Sequence, residues 1–153
     1  MGHHTILVGP RYKAHIRDIF VRGNLAKDMS LYVHRPSVTD LSVAPLGDDT
    51  FHALSPVPNL GIGETDWKAE AEGYRQKMLE EQLLPGLGDH LSKQLVFTPN
   101  SFKTRYLSPY GLGFSIEPRI LQLAWFRPHT VSKAVKGLYR VGAATHPGRG
   151  CRG

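Results

Sequence analysis

The sequence contains one cysteine, Cys151. No disulfide can close within the chain, and zinc sites built from several thiolates are excluded. The opening Met1-Gly2-His3-His4 has no apolar stretch of the secretory kind, and with the missing cross-links this predicts a reducing, cytoplasmic setting. No apolar run approaches the roughly 18 residues that cross a bilayer. His34, His52, His90, His129 and His146 are scattered, without a His-x-x-x-His or His-Glu-x-x-His pair, so the spacing predicts no metal site. Ser55, Ser108 and Ser115 lack a Gly-x-Ser-x-Gly context, which leaves nucleophilic hydrolysis unsupported. Long runs of one charge are missing too. Lys and Arg number 19 against 13 Asp and Glu, a net charge of +6, but the densest basic run, Arg11, Lys13 and Arg17, is diluted by Asp18. That pattern reads as a solvated basic surface, with an anionic membrane surface as the second reading and nucleic acid not expected as a partner.

What is present suits one α+β domain with a real core: 153 residues, 41% hydrophobic. Residues 5–8 (Thr-Ile-Leu-Val) read as a strand stopped by Gly9-Pro10. A helix is expected next, with Tyr12, Ile16, Ile19 and Phe20 on one face and Gly23 as its stop. Residues 31–33 and 51–54 read as strands, and the Pro- and Gly-containing connection between them predicts an antiparallel pair. Thr65 or Asp66 caps the strongest helix, striped by Trp67, Ala71, Tyr74 and Met78 and ended by Pro85-Gly86. On its wet side Lys68–Glu72 and Lys77–Glu81 stand four apart. Further strands are expected over 91–98 and 138–141, a short helix after Pro99-Asn100, and a helical turn over 131–136. Residues 120–126 are apolar and read as strand or buried segment.

Two stretches draw functional interest. The strand at 138–141 runs into Gly142-Ala143-Ala144-Thr145-His146-Pro147-Gly148, where small residues let backbone amides approach a phosphate or flavin edge. An ordinary tight turn gives the same pattern. Trp125-Phe126-Arg127-Pro128-His129 joins two large aromatics to a cation and an imidazole; the plain alternative is a core aromatic cluster with a snorkelling arginine. Glu117, before Pro118, reads as a surface or structural carboxylate ahead of a tuned one. The residues alone lead to an α+β domain and leave open whether the loop at 142–148 is a ligand-binding one or an ordinary turn.

A series of short stretches in fixed order resembles the bacterial and fungal phytoene desaturases of carotenoid synthesis. They are 3–12 (His-His-Thr-Ile-Leu-Val-Gly-Pro-Arg-Tyr), 30–40, 54–61, 113–118 (Gly-Phe-Ser-Ile-Glu-Pro), 124–129 (Ala-Trp-Phe-Arg-Pro-His) and 138–148. The match includes His3-His4, which weakens the alternative that the pair is a tag remnant. The resemblance implies a fragment of a two-domain flavin amine-oxidase-like fold. Residues 1–121 would be the substrate-domain portion, a β-sheet with flanking helices, and 122–153 the return segment with the last strand of an incomplete FAD domain. It implies FAD as cofactor, a C40 carotenoid as substrate, a peripheral attachment to a membrane surface, and desaturation of phytoene towards neurosporene or lycopene. By position, Gly142, Ala143, Thr145, His146, Pro147 and Gly148 match the flavin-contacting loop. Phe114, Trp125, Phe126, Arg127 and His129 match a segment expected near the substrate tunnel. No residue is marked as catalytic. Departures stand beside the match. The Gly-x-Gly-x-x-Gly turn that holds a pyrophosphate is missing, so an N-terminal flavin-binding segment is expected elsewhere and the chain alone is expected to bind FAD poorly. Ala144 replaces a glycine of the family loop, and the closing Arg149-Gly150-Cys151-Arg152-Gly153 reads as a frame slip or truncation. A noncatalytic lipid- or carotenoid-binding module is the alternative of another class.

Overall fold

A computed structural model describes residues 1–83, 85–114, 124–142 and 144–145. The chain divides into two compact units, Met1–Gly111 and Leu112–Gly153.

The first unit is built on a three-stranded antiparallel sheet ordered β1-β2-β3, with β1 at His4–Leu7, β2 at Leu31–His34 and β3 at His52–Leu54. The expected pairing of 31–33 with 51–54 is present: Val33 faces Ala53 and His34 faces His52, while on the other side Thr5 faces Val33 and His4 faces His34. Alternation decides which face is wet. Leu31 and Val33 point inward and are buried, whereas Tyr32 between them is exposed. Met29, Leu31, Val33, Leu79 and Leu83 form the centre of the core, with Leu7, Tyr74 and Met78 packed around it. Each such side chain contributes about 1.5–3 kcal/mol when fully buried.

Two helices frame the sheet, and both widen at their C-terminal ends. α1, Tyr12–Arg17, continues as a π-turn through Asp18–Arg22 and stops at Gly23, whose φ of +69° is left-handed. The buried face carries His15, Asp18 and Ile19. Ile19 is buried as expected, but Tyr12 and Phe20 are exposed and His15 goes inward instead. Its Nδ1 lies 3.4 Å from Ser30 Oγ, which also accepts from Gly9 N at 3.0 Å. α2, Trp67–Lys77, has Asp66 as its cap, the carboxylate accepting from Lys68 N at 2.9 Å. It too runs on as a π-turn, Met78–Leu83. Glu80 then accepts from Gly86 N at 2.8 Å and Gly88 N at 3.2 Å, closing the end where Pro85-Gly86 was expected to stop the helix. The expected Lys68–Glu72 pair is replaced. Glu72 accepts from Arg75 Nε at 2.9 Å and from Gln76, and Lys77 donates to the Lys27 carbonyl.

The expected strand over 91–98 does not form. Leu95 is 84% exposed and no strand pairs with the segment among the described residues, so its β-prone side chains have no ladder to join. Its end instead packs Phe97 against Phe102 and Tyr106 of the next helix. That helix, α3 at Pro99–Arg105, starts with Pro at its first position, and Thr98 N donates to Ser101 Oγ at 3.2 Å.

In the second unit, Ala124–Phe126 is one 3₁₀ turn. The expected strand at 138–141 is reduced to a single bridge between Val131 and Tyr139, flanked by Ser132 N donating to Leu138 O at 2.9 Å and Arg140 N to Thr130 O at 2.7 Å. No helical turn forms over 131–136. Val135 N donates to Ser132 Oγ, Leu138 N to Val135 O, and Gly137 at φ +80° reverses the chain, so the local bonds favour a tight loop. Residues 120–123 lie outside the described residues. The coarse α+β class therefore holds as a small antiparallel sheet with helices.

Candidate functional site

The loop after the bridge is a closed turn. Thr145 N and Thr145 Oγ1 both donate to the Gly142 carbonyl, at 3.1 and 2.7 Å. Gly142 has φ +125°, a backbone state that favours glycine, and a Cβ built there would meet nothing within 4 Å. Ala143, His146, Pro147 and Gly148, the other members of the expected flavin loop, lie outside the described residues, as do Ser115 and Glu117.

The aromatic stretch is arranged the opposite way to a core cluster with a snorkelling arginine. Trp125 and Phe126 are 68% and 59% exposed, while Arg127 is buried at 6%. Trp125 meets His129 edge to face with ring centroids 4.7 Å apart, and Phe114 is half-exposed. Outward indoles and phenyls around a buried cation are suited to an apolar ligand and offer no anchored nucleophile. A hollow of about 520 Å³ is lined by Lys27, Glu64, Asp66, Glu70, Tyr74 and Lys77 with four neighbours. Its mixed charge is unsuited to a hydrocarbon.

Sequence spacing missed one gathering. His3, His4 and His34 bring one nitrogen each within 4.8 Å of one another. His52 lies beside them, its ring 5.7 Å from that of His34. Burial, then the neighbouring charges of His3, His4 and His52, hold the His34 imidazole below its ordinary value. The only signal in the sequence is the strand register, which no linear motif encodes.

No family model matches the chain. Over 98% of its length it is 64% identical to the phytoene desaturase (neurosporene-forming) of Rhodobacter capsulatus, and over its full length 62% identical to that of Cereibacter sphaeroides. The chain belongs to the bacterial-type phytoene desaturases. It is also 45% identical, over its full length, to the phytoene desaturase (lycopene-forming) of a Paracoccus species. The chain spans 29–31% of the length of these relatives. The ordered stretches that carried the resemblance are thus parts of one continuous match to a desaturase, and the three-stranded sheet is the scaffold of that portion. Among the described residues no helix is long and apolar enough to cross a membrane.

Proposed function

We propose that this chain is a working part of an FAD-dependent phytoene desaturase, contributing to polyene binding and to one side of the flavin. The observation that carries the reading is identity of 64% and 62%, over 98% and 100% of the chain, to two neurosporene-forming desaturases, against 45% to a lycopene-forming one, which favours neurosporene as the product. The local structure fits the group. Gly142 presents open backbone in a turn of small residues, and Gly142, Ala143, Thr145, His146, Pro147 and Gly148 would hold the flavin edge there. FAD, when bound, supplies the hydride acceptor as a C–C single bond of the polyene becomes a double bond and a proton leaves. The chain's own residues bind, orient and exclude water. Exposed Trp125, Phe126 and Phe114 offer apolar surface to a C40 chain, and the buried Arg127 and the His129 ring against Trp125 fix how that surface is presented. The substrate is lipid-soluble, so the proposed enzyme takes phytoene from a membrane surface.

The test is reconstitution. The chain fused behind a desaturase segment carrying the Gly-x-Gly-x-x-Gly turn is expected to show a bound-flavin spectrum and to convert phytoene in vesicles to coloured product, while the 153-residue chain alone retains little FAD. A fusion that folds yet neither holds flavin nor changes phytoene counts against the reading. Trp125→Ala in the active fusion is expected to raise the KM for phytoene and leave the flavin spectrum unchanged.

A further inference from the structure

The antiparallel register of β1 and β2 sets His4 directly opposite His34, on the face of the sheet turned away from the core. His3, just before β1, folds over the same end, with its ring 4.5 Å from His4 and 4.9 Å from His34. Two residues adjacent in sequence and a third thirty positions on are thereby placed in one cluster. His3 Nε2 and His34 Nε2 are 3.0 Å apart. Two nitrogens bound to one tetrahedral zinc at about 2.0–2.1 Å stand about 3.3 Å from each other, so the observed separation is within a few tenths of an ångström of a chelating geometry.

We propose that His3, His4 and His34 form a binding site for a divalent transition metal of the zinc class.

The surroundings are those that orient metal-binding imidazoles. His3 Nδ1 lies 2.6 Å from Thr39 Oγ1, and that hydroxyl donates its single hydrogen to the Pro36 carbonyl at 3.2 Å. The hydroxyl therefore accepts from His3 Nδ1–H, which puts the proton of the neutral ring on Nδ1 and leaves the Nε2 lone pair to accept from His34 Nε2–H, a hydrogen bond that a bound metal would replace. His4 Nδ1 is engaged by the Tyr32 hydroxyl at 2.7 Å; in the tautomer that donates from Nδ1–H, its Nε2 lone pair is the one open to a metal. Arg35, the cation that follows His34, is paired with Asp49, so its charge is compensated away from the cluster. Three imidazoles without a carboxylate select zinc, copper or nickel over magnesium or calcium, which want oxygen. Three ligands leave at least one position for water. All three histidines belong to the first unit, and occupancy of the site neither requires nor tests the flavin reading.

The experiment uses the tag-free 153-residue chain, titrated with ZnCl₂ against a chromophoric chelator. One zinc per chain is expected, with no competition from MgCl₂. His3→Gln, His4→Gln and His34→Gln are each expected to weaken binding at least about tenfold, and Thr39→Val, which removes only the orienting hydroxyl, by about tenfold as second-shell losses do. His90→Gln, outside the cluster, should leave the affinity unchanged. Circular dichroism in EDTA establishes that each variant is folded. A second measurement does not depend on variants: the wild-type chain with CoCl₂ is expected to give the intense visible bands of a four-coordinate, imidazole-bound ion. Zinc affinity that survives loss of any one of the three histidines, or a cobalt spectrum identical to that of the hydrated ion, overturns the proposal.

Discussion

Replacing Gly23 with alanine separates two costs that are usually confounded. Gly23 ends the first helix at φ +69°, and a methyl placed on it would lie 2.0 Å from the Ile62 carbonyl oxygen and 2.7 Å from its carbon. Gly47 is also left-handed, at φ +86°, but a methyl there would touch nothing within 4 Å. Gly47→Ala therefore reports the backbone cost alone, about 1 kcal/mol. In Gly23→Ala the same cost is joined by a collision with main chain. To reach an ordinary contact of about 3.5 Å, the turn at 59–63 must retreat by about 1.5 Å. That turn is tied by Gly63 N donating to Asn59 O at 2.9 Å and Gly61 N to Asn59 Oδ1 at 2.8 Å, so retreat breaks bonds as well. The sum is about 3–4 kcal/mol, in the range reserved for a specific steric or strain mechanism. In urea, with a slope of about 2 kcal/mol per molar, the midpoint falls by about 1.5–2 M for Gly23→Ala and about 0.5 M for Gly47→Ala. Loss of any cooperative transition in Gly23→Ala supports the argument equally, provided Gly47→Ala still melts normally. Midpoints that move together, or a Gly23→Ala midpoint within 0.5 M of the parent, would refute the collision.

Asp66→Ala is expected to cost about 1 kcal/mol in thermal or urea melts, because its carboxylate caps α2 through Lys68 N. Thr65→Ala is expected to stay within about 0.5 kcal/mol. The Arg35 guanidinium and the Ser37 hydroxyl hold the Asp49 carboxyl down to about 2 from an ordinary 3.8. Because the folded value is the lower one, the pairing stabilises fully above pH 3.8 and is lost as pH falls towards 2. The carboxylate side chain is 41% exposed, so solvent screening limits the contribution to about 0.2–1 kcal/mol. Urea midpoints measured between pH 5 and pH 2 should show Asp49→Asn losing less stability than the parent.

The parts of the fold that could be read in advance are those whose local chemistry and tertiary environment agree. Residues 5–8, 31–33 and 51–54 alternate or end at Gly and Pro, and each found a partner strand. Asp66 sits where an N-cap belongs. The failures have identifiable causes. Leu91–Thr98 has β-prone residues but no neighbour to pair with, and pairing is not a local property. The helical stripe Trp67, Tyr74, Met78 missed the pair that is buried at the end of α2, Leu79 and Leu83, four positions apart. In the first helix the buried side carries His15 and Ile19, four apart, and leaves Phe20 outside, a choice that an apolar stripe does not reveal. Of the expected ligand residues, Gly142 and Thr145 were legible as a turn because glycine and a hydroxyl have fixed uses there. The outward stance of Trp125 with Arg127 inside was not, since hydrophobicity alone predicts the reverse. The histidine cluster was hidden for a simpler reason: only the strand register brings position 34 beside position 4.

That register also bears on how faithfully the sheet assembles. Inward Leu31 and Val33 alternate with outward Tyr32 and His34. A slip of β2 by one residue would exchange the two sets, driving a phenol and an imidazole into a hydrocarbon interior and stranding two aliphatic side chains in water. Every slip by an odd number of residues therefore starts from a deficit. The polar row along the open face thus guards against misassembly even in a chain that never meets a ligand.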